Sequence, residues 1–174
     1  LLRAIVRSPA WQTTSAPEYD AFRAAVVGAF AQRRADSVLV EAQTESEIVE
    51  PVLAALGFGD ASLPQANLSR RGREDVPDYL LFADATRKAK ALTMPDDARP
   101  KLGVALVEAK RWLRELDRRE ETRGDTHKKF DFGAPSSQML RYLSRADVAS
   151  DRAIKWGILT NGAIWRLYWQ DARS

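Results

Sequence analysis

Two acids and an amine stand out in this chain: Asp78 in "VPDYLLF", and Glu108 with Lys110 at the end of "GVALVEAK". Alternate side chains of a strand share a face, so Glu108 and Lys110 point together while Ala109 points away. An apolar run that ends on charges must supply them with partners, because an unpaired buried charge is costly. If the strands that follow Asp78 and precede Glu108 are neighbours, the two carboxylates converge. At close range they repel and raise one another's pKa unless a cation neutralises them. Oxygen donors of this kind suit a hard divalent ion, Mg²⁺ or Mn²⁺. Lys110 would then face the reaction centre, orienting a water or offsetting charge on a phosphate. The plainer alternative makes Asp78 a turn acceptor behind Pro77, and Glu108–Lys110 a same-face pair on an edge strand.

Composition narrows the chemistry. The chain has 174 residues, enough for one domain with a proper core, of which 45% are hydrophobic and 29% charged. It has no cysteine and a single histidine, His127, which excludes disulfides, thiolate metal sites and zinc sites built from several histidines. The net charge of +3 and pI of about 9.3 are compatible with a polyanionic partner. No run is long and apolar enough for a membrane span, and "LLRAIVRSPAW" is too short and too interrupted by arginine for a secretory signal, so a cytoplasmic setting is expected.

The elements that must position the acids follow from periodicity. "PEYDAFRAAVVGAFAQRR" (17–34) predicts a helix, as does 44–56, where Pro51 interrupts the pattern and Gly57 caps it. A strand is expected over 79–82, a short helix in "ATRKAKAL", a turn-rich link in "TMPDDARPK" and a strong strand in "LGVALVEA". The charged stretch 113–134 has no apolar period and reads as a mobile loop. A helix follows over 136–145, and then "AIKWGILT" and "AIWRLYWQ" around Asn161–Gly162 predict a hairpin with a tight turn of positive φ angles. The order gives an α/β or α+β class, with a mixed central sheet flanked by helices. Residues 1–16 are expected to be peripheral.

"VPDYLLF", "VALVEAKRW", "SSQMLRYL" and "WGILTNGAIWRLY", in that order, resemble the nuclease domain at the N-terminus of restriction–modification enzymes, of type IIG and type I-like systems in the PD-(D/E)XK superfamily. The resemblance runs from about 41 to 169. It implies a restriction-endonuclease-like core and Mg²⁺-dependent hydrolysis of double-stranded DNA, with Asp78 and Glu108 holding the metal and Lys110 helping to activate the attacking water. It also implies an acid on the first core helix, for which Glu41, Glu45 and Glu47 are available. Glu45, one turn before Val49, is the first choice; all three also suit a solvated helix start. Gln138 and Tyr142 share a helix face, and similar nucleases bring such a glutamine to the active site; an amphipathic helix with an exposed Gln is the alternative. "PDD" at 95–97 is a rival match in a turn-rich link. The wide gap between Asp78 and Glu108 leaves open whether their strands form a simple hairpin.

Further expectations concern partners. Arg71, Arg73, Arg111, Arg114, Lys128 and Lys129 are placed to follow a DNA backbone. His127 reads as a surface residue, and Trp112, Trp156, Trp165, Tyr168 and Trp169 as packing. Methyltransferase and target-recognition parts outside this chain would choose the DNA sequence, which makes the chain a piece of a longer enzyme, and pairing on DNA would allow both strands to be cut. The competing functions are a non-catalytic nuclease-like DNA-binding or assembly module and a small-molecule phosphohydrolase. The absence of a Gly-rich phosphate loop disfavours the last.

Overall fold

The computed structural model describes residues 16–31, 39–65, 76–118 and 133–172. It is an α/β fold whose five strands lie side by side in chain order: β1 (Ser62–Pro64), β2 (Tyr79–Phe82), β3 (Gly103–Ala109), β4 (Trp156–Thr160) and β5 (Trp165–Trp169). Pairing is antiparallel except between β3 and β4, which run parallel. A parallel pair needs a crossover, supplied here by a helix between the two strands. In chain order the helices are α1 (Ala16–Ala31), α2 (Glu41–Thr44), α3 (Glu50–Ala55), α4 (Ala85–Leu92) and α5 (Pro135–Ala149), the last being the crossover.

The sheet is covered on both faces, which is why "YLLF" and "GVALVEA" read as nearly unbroken apolar runs. Leu80, Phe82 and Leu106 pack with Tyr142 and Ala146 of α5 on one face. Tyr79, Leu81, Ala105 and Val107 pack with Val49 and Leu53 on the other. Asp84 caps α4 at its N-terminus, its carboxylate accepting from the Arg87 amide at 2.7 Å.

Several sequence expectations change in detail. The helix expected over 44–56 begins at Glu41 and widens into a π-helical turn, Glu45–Val49, before α3. Pro51 supplies the reason: it has no N–H and its ring crowds the carbonyl four residues back. The Glu50 amide accordingly reaches back five residues to the Glu45 carbonyl. β1 was not expected, since three residues ending in proline on a sheet edge carry no readable period. The link 93–101 gives way to a 3₁₀ turn, Asp96–Leu102, that runs up to β3, and α5 is longer at its C-terminal end than 136–145. The charged stretch after Lys110 is anchored where it is described: Leu116 packs with Met139, Leu143 and Leu159, and Arg166 grips the Asp117 carboxylate at 2.6 and 2.8 Å. One isolated leucine among charges gives no pattern, so only the tertiary contact reveals it.

The hairpin is present, but not with the expected two-residue turn. Thr160 pairs with Trp165 across a connection of four residues, in which Gly162 alone has a positive φ, +82°. A Cβ on Gly162 would lie 2.7 and 2.8 Å from ring carbons of Trp112. Gly162→Ala therefore combines left-handed strain with overpacking against a rigid ring, and is expected to destabilise the fold by about 2–4 kcal/mol. Urea unfolding would measure this; a midpoint equal to that of the wild type would contradict the packing described. The tryptophans pack as expected: Trp112 sits with Leu39 and Ile48, and Trp156 stacks on Trp169 with ring centroids 5.8 Å apart.

Candidate active site

The antiparallel register of β2 and β3 brings the acids together. Tyr79 lies opposite Val107, so one step outward along the ladder sets Asp78 against Glu108. The long insertion between them loops away as α4 and the 3₁₀ turn without separating the strands, which answers the question left by their spacing. The rival Asp96 and Asp97 lie in that 3₁₀ turn, before the opposite end of β3. The Asp78 carboxylate accepts from the Ala109 amide at 2.6 Å, which fixes it at the end of β3.

Glu108 is 2% exposed, the largest departure from ordinary burial rules in the sheet. Its Oε1 accepts from the Lys110 amine at 2.5 Å. Its Oε2 is buried and has no hydrogen-bond partner among the described residues. Burial, reinforced by the Asp78 charge, pushes the Glu108 carboxyl up to about 7 despite the pull of Lys110. Burial also raises Asp78, partly offset by the Ala109 amide and Lys110. For Lys110 burial opposes the charged form, but Glu108, Glu41 and Asp78 outweigh it and hold the proton more tightly than usual.

The helix before β1 contributes differently from expectation. Glu41, not Glu45, approaches the lysine, with its carboxylate 3.8 Å from the Lys110 amine. Glu45 lies in the π-helical turn and accepts from the Tyr79 hydroxyl at 3.1 Å, as does Glu50. Burial followed by the Asp78 charge raises the Glu45 pKa, so it senses the site without bonding to Asp78, Glu108 or Lys110. Glu47 is exposed. Tyr79 escaped sequence reading because strand alternation turns it to the face away from Glu108, where it reads as a core aromatic.

Gln138 and Tyr142 do share a face of α5, and the glutamine Nε2 donates to the tyrosine hydroxyl at 2.7 Å. Tyr142 is buried, and its hydroxyl is held protonated first by burial and then by the Glu108 charge. The glutamine thus bonds to a tyrosine that feels the Glu108 charge, rather than to Asp78, Glu108 or Lys110. Of the basic residues expected along DNA, Arg111 is exposed and Arg114 half-buried just beyond Lys110. Arg71, Arg73, Lys128 and Lys129 lie outside the described residues, as do His127 and most of 1–16.

Whether these residues suit a divalent cation can be judged from the donor atoms. Among the described residues no group of three or more His, Asp or Glu side chains lies in a metal-holding arrangement. Two carboxylates suffice for Mg²⁺, which keeps several waters and takes its remaining ligands from substrate phosphates. The unpartnered Glu108 oxygen, and the burial that raises both acids beside one another, are compatible with a site that takes a cation. The donor set fits.

No protein-family model matches the chain, and no curated protein or solved structure matches it either. Among the described residues no helix is long and apolar enough to cross a membrane.

Proposed function

We propose that this chain is the Mg²⁺-dependent endonuclease domain of a restriction–modification or related phage-defence enzyme and hydrolyses phosphodiester bonds of double-stranded DNA. The observation that carries the reading is Glu108: a buried carboxylate beside Asp78, with one oxygen held by Lys110 and the other without a partner. A purely structural ion pair would have no use for that second oxygen, because burying an unsatisfied carboxylate oxygen is destabilising. The sequence blocks around Asp78, Glu108, Gln138 and Asn161 support the same reading by resemblance.

Asp78 and Glu108 would hold the ion, with Mn²⁺ able to replace Mg²⁺; bound there, it would polarise a phosphoryl oxygen and lower the pKa of water. The protein's own groups do the rest. Lys110 keeps its proton at Nζ and has N–H donors beyond the one given to Glu108, so it can orient the attacking water or offset charge on the phosphate. The Ala109 amide keeps Asp78 in place. Tyr142 and Gln138 form a neutral, hydrogen-bonded pair on α5, with the tyrosine in the field of Glu108. Arg111 and Arg114 suit backbone contacts that carry no sequence information.

The test is cleavage of plasmid DNA by the full-length protein with Mg²⁺. Asp78→Asn is expected to lower the rate about 100-fold or more, by removing charge where the metal and the phosphate meet. Glu41→Gln is expected to lower it more than Glu45→Gln, because only Glu41 reaches the lysine. DNA binding that depends on salt but not on Mg²⁺ or Glu108, with no cutting, would instead identify a non-catalytic DNA-binding module.

A further inference from the structure

Asn161 is 2% exposed and follows β4 directly, where its obvious task is to shape the hairpin. Its Oδ1 does so, accepting from the amides of Ala163 at 3.1 Å and Ile164 at 2.7 Å. Its amide N–H donates within the hairpin to the Ile164 carbonyl at 3.3 Å, whereas its side-chain nitrogen and its carbonyl face the chain that leaves β3. Nδ2 donates to the Arg114 carbonyl at 2.8 Å. The Asn161 carbonyl accepts from the Leu113 amide at 3.3 Å, and the preceding Thr160 carbonyl accepts from the Lys110 amide at 2.8 Å. Lys110, Leu113 and Arg114 are thus held by two consecutive residues, the last of β4 and the first of the β4–β5 connection.

The held segment is strained. Leu113 has φ 59°, a left-handed conformation that crowds the Cβ of an L-residue against the following carbonyl. Such conformations persist where the surroundings over-determine them. Trp112, within the same turn, lays its ring against Gly162 of the hairpin and adds a packing contact to these hydrogen bonds.

We propose that Asn161 is a positioning residue: by fastening the 110–114 turn to the hairpin, it fixes the direction in which Lys110 leaves β3 and so the placement of its amine against Glu108. The catalytic meaning of this placement rests on the nuclease reading above. The two ends of the side chain separate the proposal from plain turn chemistry. Asn161→Asp keeps the oxygen that closes the hairpin but replaces the donor to Arg114 with an acceptor facing a carbonyl. A residue serving only the turn would tolerate the change; a positioning residue would not.

The experiment measures two quantities on Asn161→Asp: cleavage kinetics of the full-length protein with Mg²⁺, and amide hydrogen exchange. The expected result is a kcat lowered about tenfold or more, with KM within about twofold. Exchange at Lys110 and Leu113 is expected to be about tenfold faster, while the β4–β5 ladder keeps its protection. Asn161→Ser, which retains a turn acceptor and adds no charge, gives the same readout if the aspartate variant does not fold. Wild-type exchange at Lys110 and Leu113 in the folded variant overturns the proposal whatever the cleavage result. A wild-type protein that cuts no DNA, or a Lys110→Ala variant that cuts as well as wild type, overturns the nuclease reading instead, and the exchange rates still decide whether Asn161 holds the turn.

Discussion

Lys110→Ala is expected to lower the rate of Mg²⁺-dependent DNA cleavage by about 100- to 1,000-fold, with DNA affinity little changed. The amine is the one cation in contact with Glu108 among the described ion pairs, and its side chain is 12% exposed, so bulk water cannot substitute for it. Its loss acts twice. The reacting phosphate loses a charge-stabilising donor, and Glu108 is left buried beside Asp78 with no counter-ion. An acid in that position neutralises rather than remaining charged, which also weakens it as a ligand. Single-turnover cleavage, with affinity measured separately, distinguishes the chemical step from binding. Cutting by the variant within tenfold of wild type would rule out a catalytic lysine. Lys110→Arg is not expected to restore the rate, because a planar guanidinium does not fit where a compact ammonium sits.

The second large effect is on stability. Glu108 has its carboxyl pushed up from 4.5 to about 7 by burial and the Asp78 charge. A raised pKa means that the folded chain binds more protons than the unfolded chain between those values. The stability this contributes is complete below about pH 4.5 and is lost as pH rises through 7. Without divalent ions the fold is therefore expected to lose about 3 kcal/mol between pH 4.5 and pH 8 through Glu108. Asp78, also raised by burial, adds to the loss in the same direction. Glu108→Gln should flatten most of this slope, since an amide does not ionise. Mg²⁺ or Mn²⁺ should restore stability at pH 8 in the wild type and not in the variant, because an ion that binds only the folded acids stabilises by mass action. Denaturant unfolding at pH 5 and pH 8, with and without Mg²⁺, measures both parts. A slope of equal size in Glu108→Gln would show that other groups control it.

The sheet and its acids were legible because their signals are local. "YLLF" and "GVALVEA" are long enough apolar runs, and Asn-Gly between two β-rich segments is a strong enough turn signal, to place β2 to β5 within a few residues. Alternation alone put Glu108 and Lys110 together. Pro51 announced a disturbance in its helix without saying which. β1 and the anchoring of Leu116 were illegible, since neither three residues at an edge nor one leucine among charges forms a period.

From the linear chain came the residue types and their strand positions: an acid after a proline, then an acid and an amine separated by one residue, with no thiol or histidine cluster to do other chemistry. The tertiary structure decided which groups meet. Antiparallel pairing across a long insertion set Asp78 against Glu108, the π-helical turn directed Glu45 to Tyr79 and left Glu41 nearer the lysine, and the hairpin brought Asn161 to Arg114. The reason is one of range. Periodicity and turn chemistry act over a few residues, whereas contacts between residues about 30 to 70 positions apart depend on how several elements pack at once.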